Sequence, residues 1–222
     1  TEGEHSGAGG RVHPKLPQEV GIDVSVFTRD GIERVMRYAF ELALTRPKKQ
    51  LTLVTKSNAQ RHGMVLWDEV FENLKHDYPG ITTDRMLVDA ITTRMVLQPQ
   101  SLDTIVATNL HADILSDLAA ALSGSLGIGP TANINPERTF PSMFEPIHGS
   151  AFDLVGKDLA NPLGAFWSCV MMLEHLQEKK GASLLMSAIE EVCQEGRHLP
   201  KDLGGNSCTG EVTTAVCAAL RK

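Results

Sequence analysis

The strand-length apolar run Asp103-Thr-Ile-Val-Ala-Thr108 leads into Asn109-Leu-His-Ala-Asp-Ile-Leu-Ser-Asp117, which reads as the opening of a helix. The order strand, then helix carrying ligand-type residues, limits the fold more than any other feature. It is the unit from which α/β proteins are built, and such proteins bind ligands just beyond their strand ends. Asp113 and Asp117 are spaced i, i+4, so a helix places both carboxylates on one face, where they can converge on one hard cation.

The unit recurs along the chain. Leu51-Thr-Leu-Val-Thr55 reads as a short buried strand ending at Lys56-Ser-Asn58, and a strand over 84–88 ends at Asp89. Ile32, Val35, Met36, Ala39, Phe40 and Ala43 fall at helical spacing, with Thr28 or Asp30 as the cap and Pro47 as the stop. Trp67, Val70, Phe71 and Leu74 mark a second amphipathic helix, stopped by Pro79-Gly80, and a short helix runs on to Pro99. Val20 to Phe27 alternates as an exposed strand would, after a glycine-rich, basic stretch over 7–14. Residues 123–143, rich in Gly, Pro, Ser and Asn, read as a long loop with a domain crossing. Helices are expected over 162–176, apolar nearly all round and so buried or interfacial, and over about 181–195 and 209–221.

Composition excludes several classes. At 222 residues with a formal charge of −6 and no long basic run, a nucleic-acid surface is not indicated, and no uncharged apolar stretch is long enough to cross a bilayer. The four cysteines, Cys169, Cys193, Cys208 and Cys217, never form Cys-x-x-Cys. They read as buried thiols in a reducing, cytoplasmic compartment.

The carboxylates at strand ends, Asp89, Asp113 and Asp117, have the hard oxygens that Mg²⁺ or Mn²⁺ prefers. Lys56, at another strand end and beside such an ion, has the means to pass a proton to or from a hydroxyl. His148, with Glu145, Gly149 and Asp153, lies in a loop able to wrap a ribose and adenine. The sequence contains no Gly-x-Gly-x-x-Gly, so a standard Rossmann phosphate site is not indicated. Considered without context, a solvated helix face, a surface lysine and a structural histidine are the plainer readings of these residues.

Taken together, these motifs resemble one family, the metal-dependent β-decarboxylating dehydrogenases, which act on isocitrate, 3-isopropylmalate, homoisocitrate and tartrate or D-malate. Thr1-Glu-Gly-Glu-His-Ser-Gly7 resembles the segment leading into the family's active site, and Thr55 to Asn58 its lysine loop. Asn109 to Asp117 is similar to its metal signature, Glu145 to Asp153 and Ala160-Asn-Pro162 to its cofactor loop, and Asp202-Leu-Gly-Gly205 to its C-terminal motif. The stretch from Asn133 to Glu145 narrows the likeness to the tartrate/D-malate branch.

The resemblance implies an isocitrate/isopropylmalate dehydrogenase-like two-domain α/β fold lacking the N-terminal part of its larger domain. Residues 1–124 are expected to form the smaller substrate, metal and dimerisation domain, and 125–222 the C-terminal part of the larger, cofactor-binding one. It implies a homodimer with shared active sites, in which Asp113 and Asp117 bind metal together with Asp89 of the partner subunit. Lys56, also reaching across the dimer, is implied as base or proton relay. Asn58 approaches the nicotinamide side, and Glu145, His148, Gly149, Asp153 and Asn161 line the cofactor site. Asp153 favours NAD over NADP, because a carboxylate accepts from a ribose hydroxyl but repels a phosphate. The implied reaction is oxidation of a small 2-hydroxydiacid such as tartrate or D-malate, with β-decarboxylation. 3-Isopropylmalate is the alternative substrate, and a catalytically inactive dimer-forming fragment the alternative role.

Four departures from the family pattern accompany the likeness. His5 stands where the family has the tyrosine that protonates the enolate. His111-Ala112 replaces Phe-Gly beside the metal pair, and Phe152 replaces a proline. The family's first third, with the arginines that clamp substrate carboxylates, has no counterpart in these residues.

Overall fold

A computed structural model describes the backbone of residues 3–222 and the side chains from residue 7 onward. The chain divides into two compact units, 1–118 and 119–222, with the boundary inside a helix. It is an α/β protein.

The first unit is built on three parallel strands in the order β4-β3-β5. These are β3 (Gln50–Thr55), β4 (Thr82–Leu87) and β5 (Thr104–Val106), with Leu53 opposite both Arg85 and Val106. Central β3 is buried from Leu51 to Thr55, as the apolar composition of its run requires. Helix α1 (Arg29–Thr45) precedes β3, and the crossovers that parallel strands need are α2 (Gly63–Leu74), between β3 and β4, and α3 (Val88–Leu97), between β4 and β5.

Helix α1 starts where Thr28 Oγ1 accepts from Gly31 N at 3.1 Å, and it ends at Arg46, which Pro47 holds extended. Its stripe of Ile32, Met36, Ala39, Phe40 and Ala43 is buried against Trp67, Val70, Phe71 and Leu74 of α2 and against β3. Phe40 stacks between Phe71 (centroids 5.4 Å apart) and Tyr78 (4.7 Å).

Two strands run ahead of this layer, β1 (Gly3–Val12) and β2 (Val20–Val26), paired antiparallel as a separate two-stranded ribbon. The glycine-rich stretch over 7–14 is thus mostly strand. The ladder to β2 supplies an order that glycine's own propensity does not, and at Gly9 (φ +154°) a Cβ would lie 2.2 Å from the Ile22 carbonyl oxygen. Asp89 lies in the first turn of α3 rather than at a strand end, because β4 closes at Leu87.

Helix α4 (Asn109–Leu122) carries the carboxylate pair and contains the boundary between units. In the second unit, the expected long loop contains β6 (Pro130–Asn133), which pairs antiparallel with β7 (Met143–Pro146). Local composition could not reveal a strand whose partner lies beyond a nine-residue excursion. Helix α5 (Leu163–His175) packs on both strands, and α6 (Lys179–Glu195) and α7 (Thr209–Ala219) complete a second core around Leu163, Val170, Ile189, Val192, Val212 and Val216.

The cysteines correct the expectation of buried thiols. All four are free, but Cys169, Cys193 and Cys217 are exposed and Cys208 is half-buried. They occupy outward positions of α5, α6 and α7, or the cap of α7, because Val170, Val192 and Val216 take the inward ones. Met172 and Leu176 are exposed too, so only one face of α5 is enclosed. No helix among the described residues is long and apolar enough to cross a membrane.

The stacked aromatic trio predicts that Phe40→Ala costs about 3–5 kcal/mol, read as a lowered denaturant midpoint. Truncating exposed Leu44 is expected to change that midpoint by about 0.5 kcal/mol or less.

Candidate active site

The three parallel strands of the first unit end on the same side, and each is followed by ligand-type residues. Lys56 follows β3, Asp89 opens α3 after β4, and Asp113 and Asp117 lie on the first turns of α4 after β5. In parallel sheets this edge is where backbone and helix N-termini turn toward solvent and ligands collect.

Lys56 and Asp89 meet. The half-buried lysine donates from Nζ to Asp89 Oδ1, and the Lys56 ammonium beside it holds the Asp89 carboxyl below the usual carboxylate range. The pair follows from register: Thr55 stands opposite Leu87, so the residues just past both strands are neighbours.

The loop holding Lys56 is pinned by several bonds. Its carbonyl accepts from Ala59 N and Gln60 N, both at 2.9 Å, and Ser57 N donates to Thr55 Oγ1 at 3.2 Å. Ser57 Oγ donates to Asp68 Oδ2 at 2.7 Å, and Asn58 is exposed in the turn beyond.

Asp113 and Asp117 are exposed on one face of α4, while His111 and Leu115 are buried. Neither carboxylate has a hydrogen bond or ion pair to another described residue. Their free oxygens, one turn apart, suit a hard divalent cation that takes its remaining ligands from elsewhere. Among the described residues, no group of three His, Cys, Asp or Glu within one chain comes together as a metal site. Asp89 is therefore brought beside Lys56 and not into a three-residue cluster with the helix pair. His5 belongs to β1, and its side chain lies outside the described residues.

The second unit carries the expected cofactor residues. Glu145 is exposed on β7, opposite Thr131. His148 and Gly149 follow in an exposed turn, with His148 Nδ1 3.0 Å from the Gly149 carbonyl oxygen. Asp153 is exposed in the short turn Phe152–Leu154, which starts from Ala151 at φ +41°. Asn161 is held at both ends of its amide: Nδ2 donates to Asp202 Oδ2 at 2.9 Å, and Oδ1 accepts from Leu163 N at 2.9 Å at the start of α5. Ser125 Oγ donates to the same Asp202 oxygen and accepts from Gly127 N at 2.9 Å. Such a loop offers carboxylates and amides suited to the hydroxyls of a nucleoside.

Sequence reasoning missed the groups that hold these residues. Asp202 was part of a recognised motif but had no role, and Ser125 gave no signal. Asp68 had one: it sits within the apolar stripe of α2, between Trp67 and Phe71 on the buried side, where a charge needs a partner.

Comparison with known proteins shows the family. The family described as isocitrate/isopropylmalate dehydrogenase matches residues 1–218. A probable tartrate dehydrogenase/decarboxylase of Agrobacterium vitis is 64% identical over 220 residues, which cover 99% of this chain and 61% of that protein. The D-malate dehydrogenase [decarboxylating] of Escherichia coli (strain K12) is 48% identical, with 99% and 62% covered. The crystal structure of isocitrate dehydrogenase from Methylococcus capsulatus superposes with a TM-score of 0.91 at 38% identity, covering all of this chain and 65% of that one. The chain thus spans about three-fifths of the length of the curated relatives it matches.

The tightness around Asn161 generates a test. A Cβ at Gly127 would lie 2.6 Å from Asp202 Oδ2 and 2.9 Å from Asn161 Cβ, whereas one at Gly80 meets nothing within 4 Å. Gly127→Ala is expected to lower stability by about 1–3 kcal/mol and Gly80→Ala to leave it nearly unchanged, measured by chemical denaturation.

Proposed function

Because this chain belongs to the isocitrate/isopropylmalate dehydrogenase family, we propose that it carries the metal, proton-transfer and part of the cofactor machinery of an NAD-dependent dehydrogenase for a small 2-hydroxydiacid, tartrate or D-malate first. The observation that carries this reading is the meeting of Lys56 and Asp89 at the same sheet edge that feeds the Asp113/Asp117 helix. The relatives named for tartrate and D-malate support the substrate class.

In this reading Asp113 and Asp117 hold Mg²⁺ or Mn²⁺, and Asp89 of a second copy completes the ligand set. Lys56 reaches the same site from that second copy, because the pair it forms with Asp89 travels with one chain. The ion would polarise the substrate oxygen as a Lewis acid, and NAD would accept the hydride. Lys56 as the neutral amine would take the proton of the substrate hydroxyl, and the ammonium so formed would pair with Asp89 until it releases that proton to solvent. Glu145, Asp153 and Asn161 offer acceptors and an amide to the nucleoside. Asp153 disfavours a 2′-phosphate by charge.

The shared site requires a dimer, and the first unit has surfaces that suit one. Val12, Val20, Ile22, Val24 and Val26 are each 43–49% exposed along the β1–β2 ribbon. On β2 the four alternate with Gly21, Asp23 and Ser25, so they share one face. A two-stranded ribbon with an uncovered apolar face is marginal alone and calls for a cover. Leu110 and Ile114, also exposed, lie beside Asp113 on α4.

A second reading is that the 222 residues by themselves form a dimer without turnover. It is favoured by the coverage of the relatives and by the two-stranded β6–β7 sheet, which has an open edge on each side.

The test follows NADH absorbance with Mn²⁺ and D-malate, tartrate or 3-isopropylmalate. It is run on this chain alone and on the chain fused to the part of the Agrobacterium vitis relative it does not cover. Turnover abolished by EDTA, and lowered about a hundredfold or more in Asp117→Asn, is expected from at least the fusion. Metal-independent turnover, or none from either, would sink the dehydrogenase reading. For the dimer, Ile22→Lys with Val24→Lys is expected to convert a sedimenting dimer into monomer, and a monomeric parent chain contradicts the shared site.

A further inference from the structure

We infer that Asp68 is a positioning residue for Lys56: one buried carboxylate oxygen on α2 clamps both chain segments that bring Lys56 and Asp89 together. The clamp itself stands on the contacts below; its consequence for turnover rests on the dehydrogenase reading.

Asp68 sits in the stripe of α2 that packs on the sheet, and its side chain is only 12% exposed. A carboxylate in such a place loses hydration and is retained where specific partners replace the water. Both partners reach the same atom. Ser57 Oγ donates to Asp68 Oδ2 at 2.7 Å, and Arg85 donates to it from its guanidinium at 3.1 Å.

The identity of the partners gives the contact its meaning. Ser57 is the residue next to Lys56, in the turn after β3. Arg85 lies on β4, which leads into the Asp89-bearing helix α3, and stands opposite Leu53 of β3. One oxygen on a rigid helix therefore references the Lys56 turn and the strand that leads to Asp89 to a common point. Without it, the ladder still holds the strands, but the turn past β3 loses its only side-chain anchor to α2 among the described residues. Lys56 Nζ then loses its fixed place beside Asp89. A proton-transfer group displaced by an ångström forfeits much of its advantage, which is why a group that touches no reactant can govern rate.

The rival account, in which Asp68 merely stabilises the fold, predicts lower stability without a selective change at Lys56. Competitive acetylation of the whole chain with acetic anhydride, read by mass spectrometry relative to Lys179 in the second unit, separates the two. In Asp68→Asn and in Ser57→Ala, with folding checked by circular dichroism, Lys56 is expected to acetylate about two- to fivefold faster, the scale of one lost solvent-accessible ion pair. Unchanged relative reactivity of Lys56 in both folded variants would overturn the clamp, and Ser57→Ala decides alone where Asp68→Asn fails to fold.

Turnover with D-malate, NAD and Mn²⁺ supplies the second readout. In the fusion, Ser57→Ala is expected to lower kcat about tenfold or more while KM for NAD stays within about twofold. Faster labelling in the variants together with a parent that never turns over keeps the clamp and removes the dehydrogenase. Turnover in the parent with unaltered Lys56 labelling in the variants does the reverse.

Discussion

Parallel pairing of β3 with β4 and β5 is the constraint on which the rest of the first unit depends. Antiparallel neighbours would send successive strand ends to opposite sides of the sheet. Parallel ones send them to the same side, at the cost of crossover helices, here α2 and α3, that must bury apolar surface. The stripe of α2 does so together with that of α1, and Phe40, Phe71 and Trp67 fill the space between helix and sheet. The return is chemical. Lysine and carboxylates far apart in the chain emerge along one edge, with the fully buried β3 as the fixed reference.

That edge also explains why charge is distributed as it is. Asp89 is exposed yet paired, while Asp113 and Asp117 are exposed without a partner among the described residues. Asp68 is enclosed, with Oδ2 bonded twice and Oδ1 buried without a hydrogen-bond partner among the described residues. A carboxylate that faces water can wait for a ligand at little cost, whereas an enclosed one depends on the partners the fold supplies. The difference in environment divides candidates for binding from groups that hold the binding residues in place. The second unit repeats the division, with exposed Glu145 and Asp153 on its loop and Asp202 supporting Asn161 from behind.

Several elements were legible from periodicity alone. The 3.6-residue spacing of α1, its Thr28 cap and Pro47 stop match the observed limits closely, and β3 was recognisable from five consecutive strand-type residues. β1 and β6 were not, since each is poor in strand-forming residues and owes its conformation to a partner strand. The candidate ligands were legible because motif spacing is local. Their supports were not: Ser57–Asp68, Asp68–Arg85 and Ser125–Asp202 join residues 11 to 77 positions apart.

The amino-acid order by itself determined the α/β class, the family resemblance and which residues are chemically equipped to act, because side-chain chemistry, short motifs and hydrophobic period are properties of neighbouring residues. Only the tertiary structure decided that Lys56 pairs with Asp89, that Asp68 bonds both Ser57 and Arg85, and that an apolar ribbon is left exposed. Those outcomes depend on strand register and on which face each helix turns inward, and both are set by packing between distant segments.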